Sequence, residues 1–385
     1  MNFAQFGNDL YTGKRSVPVV ARRRRFYAGS MVMLVIALLG FGVKGLNLGL
    51  EFKGGSEFRV SASASTDNYE QKARVVVSDT GETSGVNVTK IGNDSIRVQT
   101  VKLTDSDASV VREGLAKAFD VPVENVSATF IGPSWGATVS QKALQALIIF
   151  LLLVALVMAI YFRTWKMSVA ALVALGHDLV ITAGIYAWSG FEVSPATLIG
   201  FLTVLGYSLY DTVVVFDKVR ENTSEAFATG RMSYAQAANL AVNQTMVRSI
   251  NTTVVALLPI LSILVVGFGT LGPGTLLDLS LVLFIGILVG AYSSIFIATP
   301  LLVSLRSNEE SVVDLGKRAA RHQARVAKQE AADELVEGHL EEGALVSGAP
   351  EAAPGERSTV TGRSVHRYAQ SGPRNQPRRP PKSKR

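Results

Sequence analysis

Cysteine is absent from the 385 residues, which removes disulfides, thiolate nucleophiles and Cys-ligated metals from consideration. Charge is scarce as well: Asp, Glu, Lys and Arg make up 18% of the chain, against 48% hydrophobic residues. With a mean hydropathy of +0.27, that shortage excludes an ordinary soluble protein of this length and fits one that crosses a bilayer repeatedly. Residues 44–142 contain no histidine and no Ser-His-Asp set, which argues against a hydrolase there. Nothing in the sequence implies a metal or an organic cofactor, and the chain does not read as an enzyme. A net charge of +7 would by itself suggest nucleic acid, but the basic residues gather at the two ends. They are Lys14, Arg15 and Arg22 to Arg25 at the front, and Arg374, Arg378, Arg379, Lys382, Lys384 and Arg385 at the back. These clusters lack interleaved aromatics and a reading fold, so they are expected to flank a membrane on its cytoplasmic side and attract anionic lipid.

What is abundant is apolar sequence in long runs. Six segments are near or above the roughly 18–20 residues that span hydrocarbon: Phe26–Val43, Ala143–Phe162, Met167–Trp188, Pro195–Phe216, Ser249–Gly269 and Leu276–Leu305. The first follows an Arg run but lacks a small-residue cleavage site, so it reads as a retained anchor. The connections Arg163–Lys166 and Asp217–Arg248 carry basic residues, whereas Ser189–Ser194 and Thr270–Thr275 carry none. The positive-inside rule then puts both termini in the cytoplasm of a multi-pass protein of the cell membrane.

The expected organisation is a basic cytoplasmic N-terminus (1–25), a first transmembrane helix (26–43), an extracytoplasmic domain (44–142), transmembrane helices two to six (143–305), and a cytoplasmic tail (306–385) that is largely disordered. Within the extracytoplasmic domain, Glu57–Ala62 reads as a strand and Asn68–Ser78 as a helix. Val86–Ile91 and Ser95–Lys102 read as a hairpin around Gly92–Asp94. Asp105–Phe119 reads as an amphipathic helix and Asn125–Ile131 as a last strand. That β-α-β-β-α-β order predicts a ferredoxin-like α+β fold. In the tail, 309–341 has the composition of a solvated helix, and from Ser347 onward Pro, Gly, Ser, Arg and Lys predict disorder.

One carboxylate stands out against this background. Asp211 lies in Pro195–Phe216, which has no other acid or basic side chain. A charge near the centre of such a span costs at least about 2.5–3.5 kcal/mol, so the group is expected to serve ions, protons or a buried partner. His177 and Asp178 sit midway along the third span, with Thr182 on the same face as Asp178. Arg248 stands at the mouth of the fifth span and shares a helix face with Asn251 and Thr252, at i, i+3 and i+4. The expected constellation pairs Asp211 with Arg248 and completes it with Asn251 and Thr252. A carboxylate beside a guanidinium changes its proton affinity when the arginine moves, as a proton-driven cycle requires. Tyr210 precedes the acid and can offer it a phenol. Small residues mark helix-packing faces: Gly286 and Gly290, extended by Ser293 and Ser294, and Gly200 with Gly206. Ser194–Pro195 reads as a helix start and Pro259 as a kink.

Five motifs in order resemble those of the SecF family, a branch of the resistance-nodulation-division superfamily. They are GLNLGLEFKGGSEF (Gly45–Phe58), IGPSWG (Ile131–Gly136), GHDLVIT in the third span, GYSLYDTVVVFDKVREN in the fourth and RSINTT in the fifth. The resemblance covers roughly residues 26–305. It implies SecD as a complementary half, association with the SecYEG channel and SecA, and use of the proton gradient to draw unfolded polypeptide outward. It matches Asp211 to the family's proton-coupling acid, with Arg248 and Thr252 at the positions associated with it. Two departures occur. The family's Asp-Phe-x-Gly-Gly reads Glu51-Phe52-Lys53-Gly54-Gly55, and Tyr210 stands where the family commonly has Asn. Alternative expectations are a half-transporter exporting a lipid or drug, and a translocon scaffold without transport.

Overall fold

The structure is a computed structural model that describes residues 3–61, 68–80, 85–91, 95–162, 164–268 and 274–346. The expected turn at Gly92–Asp94, residues 270–273 of the fifth connection and the tail from Ser347 lie outside the described residues.

Helix α1 (Phe3–Tyr11) precedes α2 (Arg23–Val43), strand β1 (Asn47–Leu48) and a single helical turn, α3 (Leu50–Lys53). A β-α-β-β-α-β run follows: β2 (Gly55–Ser61), α4 (Tyr69–Ser78), β3 (Asn87–Ile91), β4 (Ser95–Thr100), α5 (Asp105–Ala118) and β5 (Val126–Ile131). Then come α6 (Pro133–Phe162), α7 (Trp165–Ser189), β6 (Glu192–Val193), α8 (Pro195–Thr229) and α9 (Tyr234–Val266). The last elements are α10 (Thr275–Ser293), a π-helical turn at Ser294–Ala298, α11 (Thr299–Arg306) and α12 (Glu310–Val346). The molecule is mostly helical, and among the described residues six helices are long and apolar enough to cross a membrane.

The helices outrun the apolar segments. Asp217–Arg248, expected as a loop, is mostly two helical extensions of α8 and α9, joined by the four residues 230–233. Polar residues can continue a helix beyond the hydrocarbon because each added residue gains one backbone hydrogen bond without a new nucleation cost. Gly230, in the left-handed region at φ 66°, ends α8. Ser233 then opens α9 with a reciprocal hydrogen-bond box to Gln236. At the start of α8, Ser194 and Pro195 occupy the cap and first-turn positions as expected. Pro259 lies inside α9. In the tail, α12 occupies the stretch whose composition reads as a solvated helix, 309–341, and runs on to Val346.

The four larger strands form one antiparallel sheet in the order β3-β4-β2-β5. Alternate residues face inward: Phe58 and Val60 from β2, and Ile96 and Val98 from β4. They pack with Ala73 and Val77 of α4 and with Val111, Leu115 and Phe119 in and just after α5. Thr104 caps α5 by accepting from the Asp107 amide at 3.2 Å, with Asp105 and Asp107 in the positive first turn.

The inserted domain is tied to one end of the bundle. β1 pairs in parallel with β6, Asn47 opposite Glu192. Arg97 Nη2 on β4 donates to Glu192 Oε2 at 2.7 Å, both side chains 14% exposed. At the other end, Lys166 pairs with Glu309 at 2.9 Å, and Asn243 of α9 holds the segment before α2 by accepting from the Val17 amide at 2.7 Å.

Candidate functional site

The GLNLGLEFKGGSEF and IGPSWG motifs, some 80 residues apart in the chain, meet where the inserted domain joins the bundle. Gly54 has φ 75°, and Gly55, the first residue of β2, has φ 146°. A β-carbon on Gly55 would stand 2.4 Å from the Thr100 carbonyl oxygen. One on Gly136 would stand 2.5 Å from that of Phe52. Only glycine allows these backbone approaches. The carboxylates of Glu51 and Glu192 both close over Gly49, and Phe52 is buried against Tyr186 and Phe201. Burial raises the proton affinity of Glu51 above the ordinary glutamate range, with Glu192 and Glu57 adding to it.

In the bundle, α7, α8, α9 and α10 enclose the two acids. Asp211 is 7% exposed. Ser249 Oγ donates to its Oδ1 at 2.6 Å, and Ser294 Oγ donates to its Oδ2. Asp178 is fully buried. Its Oδ2 accepts from Ser208 Oγ at 2.6 Å and from Ser293 Oγ at 2.7 Å. Its Oδ1 lies 3.1 Å from His177 Nδ1, whose proton a carboxylate accepts. On the far side of the ring, His177 Nε2 is hydrogen-bonded to Ser30 Oγ of α2. Thr182 is buried on the same helix, its hydroxyl without a hydrogen-bond partner.

Close helix packing makes this possible. A β-carbon on Gly200 would come within 2.1 Å of Val282, one on Gly286 within 2.4 Å of Val204, and one on Gly290 within 2.9 Å of Ser208. Gly206 does not share this role: it is exposed, with open space around it. Gly184 supplies an unexpected approach, since a β-carbon there would overlap Ala37 of α2 at 2.3 Å.

The expected partnership of Asp211 with Arg248 is replaced by one with serines. Arg248 is exposed and lines an open cavity of about 700 Å³ with Asp217, Lys218, Arg220 and Glu221. Asn251 and Thr252 are exposed as well, and Tyr210 is 58% exposed. The inward face of α9 instead carries Ser249 and Thr253. The reason is helical phase: Ser249 is about 100° from Arg248 around the helix, so burying one turns the other outward. Ser249, Ser208 and Ser30 escape the sequence reading, Ser293 and Ser294 enter it only as packing residues, and all five share one signal. They are small hydroxyl residues at helix-helix contacts, able to donate without opening the packing.

Taken together, these features define an α-helical, six-span membrane protein with a buried acid site and an α+β domain inserted after its first span. The description "Protein export membrane protein SecD/SecF, C-terminal" matches residues 111–308, and "SecD/SecF GG Motif" matches residues 40–66. The chain is 44% identical over 376 residues to the protein translocase subunit SecF of Streptomyces coelicolor, covering 96% of this chain and 94% of that one. It is 31% identical over 284 residues to the protein translocase subunit SecDF of Thermus thermophilus, covering 72% of this chain and 37% of that one. A crystal structure of SecDF from the same genus, described as a translocon-associated membrane protein, superposes with a TM-score of 0.67 at 29% identity. That superposition covers 76% of this chain and 39% of the other, so the chain spans about two fifths of the solved SecDF. The chain belongs to the SecD/SecF family of protein-export membrane proteins.

Proposed function

We propose that this chain is the SecF-type subunit of a protein translocase and that Asp211 couples proton movement to export. The observation that carries the reading is a carboxylate inside a membrane span, held by hydroxyls rather than by a cation. A serine hydroxyl donates to a carboxylate and accepts from a protonated acid, so the site stays hydrogen-bonded in either state. A proton crossing through it delivers about 2.3 kcal/mol per 100 mV of membrane potential.

The exposed stripe of Tyr210, Arg248, Asn251 and Thr252 is costly to leave against lipid and fits the face on which a complementary SecD half docks. The fused SecDF relative, of which this chain covers 37%, supports that partner. SecYEG with SecA and an unfolded polypeptide complete the assembly. The segregation of Lys166, Arg306 and the α8–α9 connection to one end of the bundle, and of the inserted domain to the other, supports cytoplasmic termini. The order β-α-β-β-α-β with the sheet order β3-β4-β2-β5 supports a ferredoxin-like reading of the inserted domain.

The test replaces Asp211 with Asn, verifies a normal protein level, and measures secretion of an unfolded reporter with and without a proton gradient. The expected result is loss of the gradient-dependent part of secretion. Unchanged gradient dependence overturns the coupling role. Unchanged secretion with lost resistance to a small molecule points to an exporter instead.

A further inference from the structure

Ser293 and Ser294 are consecutive, yet their hydroxyls serve acids on different helices. Ser293 reaches Asp178 on α7 at 2.7 Å, and Ser294 reaches Asp211 on α8. They straddle the point where α10 gives way to its π-helical turn, Ser294–Ala298. Such turns recur at functional positions because the widened turn re-aims side chains.

Each hydroxyl also has a second acceptor on its own helix. Ser293 Oγ lies 3.2 Å from the Gly290 carbonyl oxygen, and Ser294 Oγ lies 3.2 Å from that of Ala291. A hydroxyl has a single proton to give. While its acid is a carboxylate, the stronger charge-assisted bond holds that proton on the acid. Once the acid is protonated, the acid O–H can donate to the serine oxygen, and the serine proton can turn back onto its own helix carbonyl.

We propose that this serine pair couples Asp211 to the His177–Asp178 pair, making the latter a second proton-holding station. Ser208 strengthens the link, because it donates to Asp178 from α8, three residues before Asp211. His177–Asp178 is equipped for the role. With Nδ1–H donating to Asp178, Nε2 accepts from Ser30, and an Nε2–H would donate to the same Ser30 oxygen. The groups facing Asp178 are His177, Ser208 and Ser293, while His177 itself meets Ser30 and, at 6.5 Å, the stacked ring of Tyr292. Those facing Asp211 are Ser249 and Ser294, with Tyr207 one turn earlier on its own helix. Among the described residues no Lys or Arg is hydrogen-bonded to either acid.

The proposal rests on Asp211 as the proton-coupling acid, and its test is independent of secretion. The full chain in lipid nanodiscs is titrated by infrared spectroscopy, following the carboxylic-acid C=O band that disappears in Asp211→Asn. In Asp178→Asn and in Ser293→Ala, the pH at which this band appears is expected to move by at least about threefold in proton concentration, or about 0.65 kcal/mol. Ser293→Thr, which restores a hydroxyl, returns it. Ser293→Cys keeps the size but offers only a weak donor, and is expected to give the same shift as Ser293→Ala because both lose the donor and only alanine loses the volume. An Asp211 band with the same pH dependence in Asp178→Asn, Ser293→Ala and Ser293→Cys overturns the coupling. Loss of gradient-dependent secretion in Asp211→Asn with independent titrations leaves the export reading standing and removes only this inference.

Discussion

In the bundle, Asp211 takes its hydrogen bonds from serines, and Asp178 takes two from serines and one from His177. At the end that carries the inserted domain, Glu192 takes one from Arg97 at 2.7 Å and another from Gln99 Nε2 at 3.2 Å. Both are acid sites shielded from water, but a guanidinium donates only and is always charged. It favours the ionised form of its partner and so fixes one state. Serine supports both. The joint and the acid site of the bundle are thus held by two different kinds of donor.

The largest effect that could break this comparison is expected at the joint. Arg97→Leu strands Glu192 beside Glu51 and Glu57, and should cost about 2–3 kcal/mol, below the 3–5 of a fully buried pair. Thermal unfolding of the full chain measures this loss, and adding Glu192→Gln should recover much of it. A smaller loss, about 1 kcal/mol, is expected for Ser249→Ala, since Ser294 remains on Asp211. If Ser249→Ala proves as costly as Arg97→Leu, the two sites are not built differently.

The smallest effect concerns pH. Glu51 has its proton affinity raised by burial and by its acidic neighbours, so the folded protein holds that proton to a higher pH than the unfolded chain does. Its contribution to stability is full below the unfolded value and is lost as pH rises through the folded one. Stability should therefore fall slightly with rising pH just above the ordinary glutamate range, and Glu51→Gln should flatten that slope in the same unfolding measurement.

Much of the fold was legible because its determinants are local. The six spans follow from run length, α5 from an acid-rich start after Thr104, and α8 from Ser194–Pro195. The elements that escaped are those that exist only through a distant partner. β1 and β6 are two residues each and form by pairing with one another. The loop expected at 217–248 is helical because α8 and α9 pack along their extensions, where Asn222 donates to Gln244 at 2.8 Å.

The site was half legible. Asp211, His177 and Asp178 were found because an ionisable group among apolar neighbours is conspicuous by its cost. Their partners were not, because serine is inconspicuous on an apolar helix, and Ser293 and Ser294 beside Gly286 and Gly290 read only as packing residues. What the sequence determines by itself is the number of spans, the inserted domain and the buried acids, since hydrophobic length and the cost of burying charge are properties of a segment. Which side of α9 faces Asp211 is decided only in three dimensions. Neighbouring residues differ by 100° in direction, and packing against α8 and α10 turned Ser249 inward and left Arg248 outside.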